Sequence, residues 1–417
     1  MTGNAVLVFE PEHGGHQPAY VRLLAEWVSV QRASCRVVFA VPGRLLERLQ
    51  REDAFDLRQQ AGCEVIEIAP AAADACCQGP LYRRSFARLR LMAELVPRAS
   101  ARHVICLFLD PLQLALALQR RLPRDVTLSG ILFRPSVHKI YAATAGSSVA
   151  ERLRDHRKQL LYRLMLRNPI LTDVLSLDPY FPSFAQAEFG AGNKVRALPD
   201  PVVTMPAATG QPHVGADLLE SVRGREVIFT LFGALAARKG VLQLLDALSL
   251  LSAPSRATAR VVLAGNVEPD IAEEFATRIQ RLHAAQGADD CLRVVDRFLT
   301  TPELAWLVRQ STVILAPYQR FVGSSGVLGW AAEARKPVIA QDYGLVGALV
   351  RNYRLGLAVD ASDPVRIAEA MSQLVQPGQL EVAAAAARWD AFLVDRRPEA
   401  FAAAVFGNLL AIKGSAA

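Results

Sequence analysis

The sequence predicts an α/β chain of two Rossmann-like domains facing each other across a cleft. Three observations predict it: a length beyond one ordinary core, a strand-and-helix rhythm that runs twice, and a proline-rich break between the two runs.

The chain has 417 residues, and domains commonly hold about 100 to 200. Hydrophobic residues make up 52% and charged residues 21%, the composition of a packed protein rather than a disordered one. The first rhythm places strands at Ala5 to Phe9, Val37 to Ala40, Glu64 to Ile68, His103 to Phe108, Thr127 to Phe133 and Ile170 to Leu175. Longer segments of helical period separate them, the pattern of a parallel sheet covered on both faces. The break is Leu198-Pro-Asp-Pro-Val202 with the prolines at 206 and 212, where neither helix nor central strand is favoured. The second rhythm has strands at Val227 to Phe232, Arg260 to Ala264, Leu292 to Val295, Val313 to Ala316 and Pro337 to Ala340. The expected domains are therefore 1–200 and 213–380, with 381–417 forming two helices, separated near Pro398, that return to the first domain.

The six cysteines, Cys35, Cys63, Cys76, Cys77, Cys106 and Cys291, contain no Cys-x-x-Cys pair and read as reduced core residues of a cytoplasmic protein. The apolar run Ala5 to Phe9 is strand-length and has no basic segment before it, so it is not read as a signal peptide. No apolar stretch approaches the roughly 20 residues that span a bilayer. The net charge is +7, carried by 41 arginines and 6 lysines. No zinc-finger or helix-turn-helix spacing accompanies it, which argues against nucleic acid. Two basic helical segments stand out, 83–98 with Arg84, Arg88 and Arg90, and 151–167 with Arg152, Arg154, Arg157, Lys158 and Arg163. They suit peripheral contact with anionic headgroups, and ordinary solvated helix faces would explain them as well.

In parallel α/β sheets ligands bind beyond the carboxyl ends of the strands, so the loops there carry the functional reading. After the first strand come Gly14, Gly15 and His16, a turn that lets backbone approach a ligand. A G-x-G-x-x-G fingerprint is lacking, which argues against a dinucleotide. After Phe232 come Gly233, Arg238, Lys239 and Gly240. Cations ahead of a helix run against its dipole, and a diphosphate held there would account for them. After Ala316 come Gly323, Ser324, Ser325 and Gly326, which offer amides and hydroxyls with no bulky side chain. Arg134 and His138 follow the strand ending at Phe133, and a histidine there can serve as a hydrogen-bond donor near neutral pH.

These elements resemble the GT-B glycosyltransferases, most closely the retaining group 1, or family 4, enzymes. The resemblance is carried by the loop Gly233 to Gly240, by Val261-Val-Leu-Ala-Gly265, by Glu303-Leu304 with Ser311 to Pro317, and by Gly323 to Ala340 ending in Lys-Pro-Val-Ile-Ala. It is strong in the second half and loose in the first, where Leu198 to Val202 and Gly14-Gly15 match. Two departures stand beside it: Ala234 takes the place of the family's diphosphate arginine, and Val322 and Trp330 take the places of its paired glutamates. The resemblance implies a hexosyltransferase-like enzyme that moves a sugar, with retention, from a UDP- or GDP-sugar to an acceptor bound by the first domain, the acceptor being a glycan, lipid or small molecule. Gly233, Arg238, Lys239, Gly323, Ser324, Ser325 and Gly326 would hold the donor, Arg297 and Phe298 the base, and Glu333 the ribose. His138, or Arg134, would serve the reacting sugar, and Gly14, Gly15 and His16 the acceptor side. No cofactor and no metal are expected, since no Asp-x-Asp occurs. The missing glutamates leave a non-catalytic scaffold or sugar-nucleotide-binding protein as the alternative, and a GT-B-like epimerase or phosphorylase as a third class.

Overall fold

A computed structural model describes residues 5–31, 35–118, 120, 122–123, 125–135, 149–202, 204–205, 215–222, 227–286 and 291–409. The chain divides into two compact units. The first runs to Asp200 and is joined by the segment from Arg397, and the second spans Pro201–Arg396.

The first unit holds seven parallel strands: β1 (Ala5–Phe9), β2 (Arg36–Pro42), β3 (Cys63–Ile68), β4 (Ala101–Cys106), β5 (Thr127–Leu132), β6 (Leu171–Ser176) and β7 (Val195–Ala197). Their order is β3-β2-β1-β4-β5-β6-β7. Leu7 and Phe9 enter one apolar cluster with Met92, Leu95 and Leu128, whereas Val6 and Val8 enter another with Tyr20, Leu24 and Phe401. Side chains alternate along a strand, so burying both sets requires helices on both faces, which is why the strands read as unbroken apolar runs.

The second unit holds β8 (Val227–Phe232), β9 (Ala259–Ala264), β10 (Leu292–Val295), β11 (Val313–Ala316), β12 (Val338–Gln341) and β13 (Gly356–Val359), in the order β10-β9-β8-β11-β12-β13 and all parallel. Phe229, Leu231, Val261, Leu263 and Leu315 pack under helices carrying Leu244, Leu245, Ile367 and Met371.

β7 and β13 were not expected from the sequence. β7 is three residues long with a single buried position, and β13 opens on Gly356, where a Cβ would overlap the Val338 carbonyl. The tail also departs from expectation: its described residues form three α-helices, Gln379–Ala386, Trp389–Val394 and Pro398–Phe406, rather than two. The first two belong to the second unit and the third to the first. All six cysteines are free, Cys76, Cys106 and Cys291 buried and the others half-buried.

Candidate functional site

A doubly wound sheet opens a crevice where successive connections leave in opposite directions. In the second unit that place lies between β8 and β11, and the loops following those two strands meet there. Gly233 takes φ 85°, which places the returning Lys239 directly above the strand end. Its Nζ donates to the Phe232 carbonyl at 2.6 Å, and a Cβ on Gly233 would stand 2.7 Å from that nitrogen. Gly240 takes φ 73°, and a Cβ there would overlap the Pro317 carbonyl oxygen. The Gln319 amide donates to the Arg238 carbonyl at 2.8 Å, so the two loops are stitched together at closest approach. The helix Val241–Leu250 then begins with no side-chain cap and no acidic residue in its first turn. The first amides of a helix have no intrahelical acceptor, and these carry the positive end of its dipole.

Lys239 is half-buried and Arg238 exposed. Burial, helped by the neighbouring Arg238 and opposed by Glu268, pulls the Lys239 ammonium down to about 8. Arg320, exposed in the loop after β11, sits in the left-handed region at φ 51°, a conformation that costs a non-glycine residue about 1–3 kcal/mol. Among the described residues none of these three cations forms a salt bridge. Three cations without a salt-bridge partner among the described residues, beside an uncapped helix start, form an arrangement suited to an anion.

The loop after β11 forms the facing wall. Ser325 is the N-cap of the helix Gly326–Glu333, but its side chain makes no capping bond, because its hydroxyl meets the buried Tyr318 hydroxyl at 3.0 Å. Gly323 is buried and Ser324 half-buried beside it. The buried Gln341 donates Nε2 to the carbonyls of Phe321 and Tyr343, and its Oε1 has no partner among the described residues. The buried Tyr343 hydroxyl has none either. Arg320, Gln341 and Tyr343 were not singled out in the sequence, because a lone loop arginine and the end of an apolar strand carry no pattern.

The loops after β9 and β10 extend the rim. Gly265 at φ 143° lies against the Gly233 carbonyl, the Leu235 amide donates to Asn266 O at 2.8 Å, and the Val267 amide donates to Asp296 Oδ1 at 2.9 Å. Arg297 is tied to Asp217 at 2.8 Å and to Glu303 at 2.8 Å, pairs that hold its own pKa up and those of both carboxylates down. Its charge is spent on fastening the helices Ala216–Ser221 and Thr301–Gln310. Phe298 beside it is 72% exposed. β10 stands two strands from β8, about 10 Å at the usual spacing.

Glu333 ends the helix that Gly326 begins, roughly 10 Å along its axis, and its Oε2 accepts the Met205 amide at 2.9 Å. Trp330 stacks on Phe232 with ring centroids 6.0 Å apart. In the first unit Gly15 takes φ 61°, and the exposed His16 ring lies 6.3 Å from Tyr20. The Arg134 amide donates to the buried carboxyl of Asp110 at 3.0 Å, and burial raises that carboxyl to about 6. His138 lies outside the described residues. Of the two basic helices, the one spanning Leu81–Ala99 turns Arg88 wholly inward, which removes that residue from any headgroup-facing surface. Among the described residues no helix is long and apolar enough to cross a membrane, and no group of three or more His, Cys, Asp or Glu is placed to hold a metal ion.

Comparison with known proteins adds three findings. Residues 226–377 match the family described as Glycosyl transferases group 1. No curated protein matches the sequence. Among solved structures the chain is similar to α,α-trehalose 6-phosphate synthase from Burkholderia multivorans, with TM-score 0.70 and 14% identity over 98% of each chain. It is similar also to sucrose-phosphate synthase from Thermosynechococcus elongatus, with TM-score 0.64 and 16% identity over 98% of each chain. HepE of Anabaena in complex with UDP and glucose gives TM-score 0.63 and 13% identity, covering 98% of this chain and 99% of that one.

Proposed function

With residues 226–377 forming a domain of the glycosyl transferases group 1 family in a chain of GT-B fold, we propose that the protein moves a sugar from a nucleoside diphosphate sugar to an acceptor held by the first unit, with retention of configuration. The observation that carries the proposal is the β8–β11 crevice, where Lys239, Arg238 and Arg320 surround an uncapped helix start. Lys239, Arg238 and the Gly323 to Gly326 segment would take the diphosphate, and Phe298 would receive the base on its exposed face. A half-buried ammonium pulled down to about 8 is stabilised when an anion arrives, and most of all when the leaving diphosphate gains charge, which is where charge stabilisation accelerates transfer.

The anionic partner of HepE in the solved complex is UDP, which makes UDP the first donor nucleotide to test here. His138, with Arg134 as the alternative, is the group proposed nearest the reacting sugar, and no metal is assigned a role. A thermal-shift series with UDP, GDP, ADP, dTDP and their sugars tests the donor, because a ligand bound by the native state alone raises apparent stability. Turnover that survives EDTA, and a product whose anomeric signal keeps the donor's configuration, test metal independence and retention. Nucleotide binding without turnover on any acceptor would return the protein to a binding role.

A further inference from the structure

We propose that the carboxyl end of the first sheet is an anion site, built by Arg84 and Arg88 and occupied by the chain's own Glu12, and that the acceptor carries a phosphate or carboxylate that displaces this glutamate. The word acceptor rests on the transferase reading; the anion site rests on the first unit alone.

The first sheet changes winding direction between β1 and β4, so its crevice lies beyond Phe9 and Cys106. Arg88 is fully buried there. Its Nε donates to the Cys76 carbonyl at 3.1 Å and its Nη1 to the Phe108 carbonyl at 3.4 Å, while Nη2 meets Glu12 Oε1. The guanidinium lies 5.6 Å over the Phe108 ring. Arg84, one helical turn earlier, reaches the same Glu12 oxygen at 3.5 Å. Two guanidinium groups thus share one carboxylate oxygen, and Arg84 Nε is buried with no partner among the described residues.

Glu10 adds to the imbalance. It is fully buried, its Oε1 accepts the Glu12 amide at 2.8 Å, and its Oε2 has no partner among the described residues. Burial raises its carboxyl to about 8 against the opposing pull of Arg88, which weakens Glu10 as a counterion for the arginine. The thiols around Arg88 are likewise held neutral, Cys76 and Cys106 near 12 and Cys77 near 11. Arg84 Nε and Glu10 Oε2 are thus left unmet among the described residues, and unmet buried polar atoms are costly. A phosphate or carboxylate offers several lone pairs to such a cluster, in the bidentate geometry arginine favours.

Glu12 is suited to give way. Its side chain is 23% exposed, and it leads into Gly14, whose missing side chain would meet only open space, and Gly15 at φ 61°. It serves as an internal stand-in that spares Arg88 the penalty of a buried charge left unpaired.

Calorimetric titration of the full chain without nucleotide tests the site, using inorganic phosphate, glucose 6-phosphate, glucose and phosphatidic acid vesicles. Phosphate and glucose 6-phosphate are expected to bind and glucose not to. Glu12→Gln, which removes the competing charge and keeps the shape, should tighten phosphate by about tenfold, and Arg84→Gln should abolish binding. Saturation by vesicles but not by glucose 6-phosphate would support the site and place the phosphate on a lipid. Flat titrations of both the wild type and Glu12→Gln with every phosphate would overturn the proposal, as would equal binding by Arg84→Gln or equal binding of glucose. The Arg84 side chain is 25% exposed, so its substitution spares the core, and near-UV circular dichroism checks this. Because nucleotide is omitted, a flat titration leaves sugar transfer standing, and failure of UDP to bind leaves the anion site standing.

Discussion

The two sheets have the same winding rule and opposite electrostatics at the place where it reverses. At the β8–β11 crevice the cations are brought together by glycines and left without carboxylate partners among the described residues. At the β1–β4 crevice Arg88 is buried and Arg84 half-buried, and both are answered by Glu12 from the same chain. The difference teaches that a parallel sheet supplies only the location of a site; whether it is poised or closed depends on whether the chain sends its own counterion there.

Breaking each crevice at one cation gives opposite signatures. Arg88→Met leaves the Cys76 and Phe108 carbonyls without their donor and should cost about 1–3 kcal/mol, measured by urea unfolding; an unchanged midpoint would mean that Arg88 is not organising the first unit. Lys239→Met relieves a half-buried ammonium, so its unfolding midpoint should stay level or rise, while UDP affinity falls by more than about tenfold, the loss of one charge-assisted contact. A Lys239 variant that binds UDP normally would move the donor elsewhere.

The same contrast appears with pH. Lys239 must be charged to hold an anion, and its folded value is about 8, so UDP affinity should fall as pH rises through 8, and less so in a Lys239→Arg variant. Glu10 is shifted in the opposite direction and acts on stability rather than on binding. Its folded value of about 8 exceeds the unfolded 4.5, so the folded state keeps a proton that the unfolded chain releases. The contribution to stability is full below 4.5, declines between 4.5 and 8, and is gone above 8. Glu10→Gln should flatten that stretch of the stability–pH curve; an unchanged slope would show that Glu10 does not titrate there. The smallest expected effect is at Phe298, where Phe298→Ala should weaken nucleotide binding by about fivefold through lost stacking and leave unfolding unchanged.

Strands buried on both faces were legible because both side-chain sets are apolar. β13 was not, since a short half-buried strand opening on glycine carries no such signal. The Gly233 to Gly240 turn was legible because glycines between an apolar strand and an amphipathic helix mark a tight connection. The inward turn of Arg88 was hidden, since an arginine at helical spacing reads as surface and its partner Glu12 lies in a distant loop. The ion pairs of Arg297 were hidden for the same reason: its partner Asp217 is 80 positions away in sequence.

The last helix, Pro398–Phe406, belongs to the first unit, with Phe401, Val405 and Phe406 in its core and Phe406 stacked 5.2 Å from Trp27. During synthesis these side chains leave the ribosome only after the whole second unit has been made. The N-terminal half is therefore made before the helix that covers part of one face of its sheet, and a fragment 1–200 lacks the cover that Phe401 and Phe406 give Tyr20 and Trp27.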